Sequence, residues 1–118
     1  MFSLTASMNY YLYAYPTDMR RGFYTLSGMV TNLMGRNIQD GDVFIFINKS
    51  CTSMKILHME FGGLVIYYMK LESGNFRLPF LDENSNTFQI SWQDLMTITQ
   101  GVSRGEKPCR KRWEKPMK

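Results

Sequence analysis

The apolar positions change period twice along the chain. "MNYYLYAYP" reads as a tyrosine-rich strand ended by Pro16. Beyond it Met19, Phe23, Leu26, Val30 and Leu33 recur at spacings of 4, 3, 4 and 3, which places them on one helical face. Asp18 is the predicted N-cap of that helix and Gly35 its stop. Gly22 and Gly28 each weaken it by about 1 kcal/mol relative to alanine, so packing has to hold it in place.

Its predicted partner is a sheet, supplied by "GDVFIFIN", "MKILHMEF", "LVIYYMKL" and "NFRLPFL". The breaks between these runs are "NKSCTS", a tight hairpin at Phe61-Gly62-Gly63-Leu64, and "ESG". Connections this short predict an antiparallel meander, because parallel neighbours need crossovers of roughly a dozen residues or more. From Leu64 to Leu71 both alternating sets are apolar or aromatic, so both sheet faces should be covered, by helices or by a second protomer. After "DENSNT", the run "FQISWQDLMTITQG" predicts a short strand and then a helix, with Ser91 and Asp94 as a capping box and Gly101 as its end. The expectation is an α+β fold, an antiparallel meander of about five strands packed with one N-terminal-half helix and one C-terminal helix. It forms a single domain over residues 1–103, followed by a basic tail at 104–118.

Length and composition narrow the class. A chain of 118 residues holds one modest core, and 44% hydrophobic with 20% charged residues excludes global disorder and fibrous repeats. No run approaches the roughly 20 apolar residues that span a bilayer. "MFSLTASMNYY" lacks the basic residue that precedes the apolar part of a secretory signal. These features point to a soluble, cytoplasmic protein. Cys51 and Cys109 are far apart and form no CxxC pair, so free thiols are expected in a reducing compartment.

The net charge of +4 is unevenly placed. From Arg104 onward seven basic residues stand against two acidic ones, while the rest of the chain is close to neutral. Such a tail is either a polyanion-binding segment or a solvated end. Arg20 and Arg21 fall in the first turn of the predicted helix, where the peptide dipoles favour acids. Either a phosphate shared with the helix-start N–H groups or pairing with Asp18 or another nearby acid would make them tolerable there. With Lys49, Lys55, Lys70 and Arg77 they could form a phosphate-binding surface with Tyr and Phe rings beside it for stacking. Arg104, Arg110, Lys111 and Arg112 would extend it from the tail. The bland alternative is a solvated face with scattered ion pairs.

Catalytic chemistry is poorly represented. His58, the only histidine, lies in a strand and is expected to be structural. Metal spacings of Cys and His, a phosphate loop, a GxSxG elbow and a GxGxxG fingerprint are all missing from the sequence. Asp40 and Asp42 flank Gly41 as turn residues do. The expectation is a nonenzymatic protein without metal or cofactor. Convergence of Asp18, Asp40, Asp42 and Glu60 would instead argue for a metal-dependent nuclease.

Three segments in order, "TDMRRGFYTLSGMV", "GDVFIFINKSCTSMKILHMEFGGLVIYYMKLE" and "SGNFRLP", resemble the small TnpB or Orf2-like protein of bacterial insertion-sequence-66-type elements. The pattern falls at Asp18 to Phe23, Gly41 to Asn48, Lys55 to Leu57, Gly62 and Gly63, and Leu71 to Pro79. Members often carry arginines after the strand asparagine, where this chain has Lys49, Ser50 and Cys51. "SWQDLMTITQG" and the tail match only loosely. The resemblance implies an accessory role in transposition beside a separate, larger transposase. The partners this implies are that transposase and DNA at the element ends; the two-sided apolar sheet adds a second copy of the chain as an expected partner, and no membrane is expected. The two modes open to such a protein are direct DNA binding and a protein-interaction module, the latter marked by a contiguous exposed patch around Tyr67 and Tyr68.

Overall fold

The computed structural model describes residues 4–79 and 84–100. Its centre is the most apolar run of the chain, β2 (Val43–Ile47), in which every residue is buried. β3 (Ser53–Glu60) and β4 (Gly63–Lys70) follow it as an antiparallel meander, with Phe44 opposite Leu57 and Leu57 opposite Ile66. Glu60 and Gly63 close the second hairpin over a two-residue turn, whose central Phe61 and Gly62 have φ of 52° and 81°. Positive φ at both positions matches the turn to the right-handed twist of the flanking strands.

β1 (Tyr10–Tyr13) lies on the other side of β2 and runs parallel to it, Tyr10 beside Val43. The sheet is therefore mixed, which corrects the purely antiparallel expectation. The reason lies between the two strands: that segment is long enough to hold α1 (Phe23–Asn32) as the crossover a parallel pair requires. β5 (Thr87–Ile90) pairs antiparallel with β1 and completes the order β4-β3-β2-β1-β5. α2 (Trp92–Gln100) follows directly.

"NFRLPFL" forms no strand among its described residues, a second correction. Its backbone donors go elsewhere, from Phe76 to the Cys51 carbonyl and from Arg77 to the Ile98 carbonyl. Phe76 and Leu78 are buried in the core all the same, so the apolar signal was right about burial and wrong about pairing.

Alternation along the strands sends side chains to two cores. Tyr11, Tyr13, Phe44, Phe46 and Leu57 pack with Leu26, Val30 and Met34 on the α1 side. Tyr10, Leu12, Val43, Ile45, Ile47 and Met54 pack with Leu95 and Ile98 on the α2 side. Each fully buried side chain of this size contributes about 1.5–3 kcal/mol. Both faces are covered at the centre of the sheet, whereas β4 at its edge is only partly buried or exposed throughout.

α1 starts later than its periodicity predicts. An Asp18 oxygen accepts the Arg20 N–H at 2.9 Å and its carbonyl accepts the Arg21 N–H at 3.1 Å, so residues 18–21 form a turn of their own. Aspartate competes with a helix in this way by offering local bonds. Gly22, extended at φ −113° and ψ −158°, is the N-cap, and no side chain caps it. Asp18 is thus not the N-cap, and Arg20 and Arg21 precede the helix. At the other end Gly35, at φ 67°, turns the chain out of the helix as expected.

Cys51 is disulfide-bonded and fully buried, which corrects the free-thiol expectation. The chain's other cysteine, Cys109, lies outside the described residues. No helix among the described residues is long and apolar enough to cross a membrane.

Candidate nucleic-acid interface

The crossover has a geometric consequence. Because α1 follows a strand parallel to β2, its N-terminus sits at the sheet end where β1 and β2 finish, β3 begins and β4 ends. The hydrogen bond from Thr17 N–H to the Ile47 carbonyl, 2.8 Å, fastens the segment to that end. The sheet thereby brings together residues that the sequence scatters.

Lys55 is the joint. Its Nζ donates to the Arg21 carbonyl at 2.8 Å and lies 5.1 Å from the Tyr68 ring centroid. Lys55 and Tyr68 are register partners, so they share the α1 side of the sheet, and Lys70, two residues on from Tyr68, shares it too. Lys70 and Arg21 are exposed, as are Tyr68 at 57%, Phe23 at 50% and Tyr24 at 93%. Arg21 and Lys55 thus meet just before the uncapped start of α1, whose first turn carries the exposed Phe23 and Tyr24, while Tyr68 lies beside Lys55 and Lys70 shares its sheet face. Cations beside exposed ring faces can hold backbone phosphate and stack bases without reading sequence.

The other expected residues are placed differently. Arg20 is engaged: its Nε and Nη2 reach both oxygens of Asp18, the shortest contact being 2.6 Å. These bonds hold the Asp18 carboxyl well below the usual carboxylate range and raise the guanidinium in return. The pairing alternative is therefore what the structure shows for Arg20. Its side chain is nevertheless 91% exposed, so the outer edge of the guanidinium faces solvent.

Lys49 is exposed in the β2–β3 loop at the same sheet end. Asn48 shapes that loop, its side-chain oxygen accepting from the N–H groups of Thr52 and Ser53 at 2.9 and 3.0 Å. Arg77 is exposed, between Phe76 and Leu78 of the α2-side core. Arg104, Arg110, Lys111 and Arg112 lie outside the described residues.

Arg36 was missed by the sequence reading. Its guanidinium carbon sits 3.9 Å from the Tyr11 ring centroid and its Nη2 3.7 Å from Asp42, at the far end of α1. Its one signal was its place just after the Gly35 stop, which says nothing about a partner. His58 is 4% exposed, with Nδ1 3.4 Å from the Asp42 carbonyl, as a structural histidine would be. Gly41 at φ 86° caps a short 3-10 turn at Ile38–Asp40, in keeping with the turn reading of Asp40 and Asp42. Among the described residues, no group of three or more His, Cys, Asp or Glu is placed to hold a metal ion.

Tyr67 and Tyr68 do not form one patch. Tyr68 faces the α1 side, whereas Tyr67 packs against the α2-side core and donates to Glu60. Burial first, and then the hydrogen bond to the Glu60 carboxylate, push the Tyr67 phenol up to about 12.

Residues 8–108 match the family described as IS66 Orf2 like protein. Two proteins of Sinorhizobium fredii, named uncharacterized protein y4jC and uncharacterized protein y4hO, are 31% and 32% identical to the chain over 87 and 86 residues. The first alignment covers 74% of this chain and 73% of the relative, the second 73% of each. No solved structure matches the chain.

Proposed function

Because the chain belongs to the IS66 Orf2-like family, which is associated with insertion-sequence transposition, we propose that it is a nonenzymatic accessory protein that binds DNA beside the element's separate transposase. The observation that supports this reading is the meeting of Arg21, Lys55 and Tyr68 beside an uncapped helix start that carries the exposed Phe23 and Tyr24, with Lys70 on the same sheet face. Helix-start N–H groups and flanking cations are complementary to a phosphate oxygen, and the exposed rings suit an unpaired base or a sugar edge. Arg20, already paired, orients the turn and offers its outer edge. Contacts of this kind position a protein on DNA and carry no base information.

Fluorescence anisotropy of the full chain with a duplex of the element's terminal repeat, across a salt series, tests the reading. Binding should weaken linearly in log salt, and Arg21→Ala with Lys70→Ala should weaken it about tenfold and lower the salt slope by about 1 per lost contact. Unchanged affinity in the double variant would remove the cluster from the interface. Absence of binding at low salt would overturn the DNA reading and leave the transposase as the partner to test.

A further inference from the structure

The two edges of the sheet are unlike. β5 has four residues preceded by the polar Asn84, Ser85 and Asn86. β4 has eight, and from Gly63 to Met69 it carries no charge and no proline. Monomeric proteins ordinarily blunt a long edge with such residues, because its unpaired N–H and C=O groups will template another strand. Both faces of β4 are also incompletely covered, with Tyr68 57% and Met69 42% exposed on opposite sides. We infer that β4 pairs antiparallel with β4 of a second copy, joining two five-stranded sheets across a two-fold axis at Tyr67.

The hydrogen-bonding directions fix the register. Leu71 N–H bonds inward to the Thr52 carbonyl at 2.9 Å. Alternation then turns the N–H and C=O of Leu64, Ile66, Tyr68 and Lys70 outward. Antiparallel self-pairing about Tyr67 sets Leu64 against Lys70 and Ile66 against Tyr68, which satisfies all four outward residues within the strand. Centring on Ile66 would need Gly62, which belongs to the turn.

The side chains agree with a second copy as occupant. Val65 meets Met69, Ile66 meets Tyr68, and Lys70 lays its stem over Leu64 instead of facing a like charge. The 104–118 segment is a poor competitor, since it is rich in basic residues, shares the sign of Lys70 and contains Pro108 and Pro116. A two-fold axis perpendicular to the sheet keeps both α1 helices on one side. The Arg21, Lys55 and Lys70 groups of the two copies then form one continuous surface, so the second copy completes the DNA site; this last step rests on the proposed function.

Light scattering on the full chain, with paired charge variants, tests the strand pairing. Val65 and Met69 face the α2 side, away from the basic cluster, and meet each other only across the axis. The wild type should have twice the chain's mass. Val65→Glu with Met69→Glu should be monomeric with an unchanged near-ultraviolet circular dichroism spectrum, whereas Val65→Glu with Met69→Lys should restore the dimer. A monomeric wild type at about 100 μM, well above the micromolar range of standard interfaces, would overturn the inference and leave the edge to another protein's strand. A like-charge variant that stays dimeric, or two variants that behave alike, would overturn it as well.

The same proteins separate this inference from the functional reading. A wild type that dimerises without binding DNA sinks the proposed function alone. Equal DNA affinity of the wild type and the like-charge variant sinks the shared surface, because loss of the second copy should weaken binding by about tenfold or more.

Discussion

At the start of α2, Ser91 and Asp94 exchange bonds of 3.0 Å, each side chain accepting the other's N–H, and Asp94 sets a negative charge in the first turn. At the start of α1, Gly22 has no side chain to offer, the first turn holds no acid, and Arg21 and Lys55 stand beside it. α2 spends its terminal donors on its own stability. α1 leaves its own unclaimed by any side chain cap and depends on packing, as a helix whose N-terminus serves a ligand would.

The heaviest test of this contrast is Leu26→Ala. Leu26 is fully buried, and if packing alone holds α1 the variant should lose about 2–5 kcal/mol, measured by urea unfolding. At α2 the balance should tilt toward the cap: Ser91→Ala or Asp94→Ala is expected to cost about 1 kcal/mol by the same measurement. A smaller and more telling change is Gly22→Asp. No heavy atom lies within 4 Å of a Cβ built there, so the residue fits. It should add a few tenths of a kcal/mol while weakening duplex binding about threefold, since it supplies the missing cap and places an acid where phosphate would sit. Gains in both stability and affinity would break the comparison.

The smallest effect is electrostatic. A carboxyl whose pKa is depressed in the fold stabilises above its unfolded value and loses that contribution as pH falls through the folded one. Asp18 should therefore stay ionised below the ordinary aspartate midpoint in a carbon-13 NMR titration. In Arg20→Ala it should return toward that midpoint, with little change in stability because the pair is exposed.

Much of this contrast was legible in the sequence. Ser91 and Asp94 announced the second cap, the spacing from Met19 to Leu33 announced the first helix, and Phe61-Gly62 announced the hairpin, because each depends on residues close together. What could not be read was long-range. Nothing near Tyr10 says that β1 runs parallel to β2, nor that its other neighbour is β5. Asp18 was ambiguous for a different reason, since its side chain suits a cap and a free-standing turn equally, and the tie is broken by Gly22. Candidate cations could be picked out along the chain, but the meeting of Arg21 and Tyr68 through Lys55 required the register of β3 with β4.

The position of β1 between β2 and β5 also bears on the order in which the chain organises itself. β2, β3 and β4 are joined by short loops and can zip together from local encounters. β1 must close a loop around α1 to reach β2, and it gains its second neighbour only from residues 87–90. Such distant pairings form slowly, because loop closure precedes any reward. The meander should therefore acquire amide protection first in pulse-labelled hydrogen exchange, with Tyr10–Tyr13 and Thr87–Ile90 protected together in a later phase. The strand made first would be among the last to find its place.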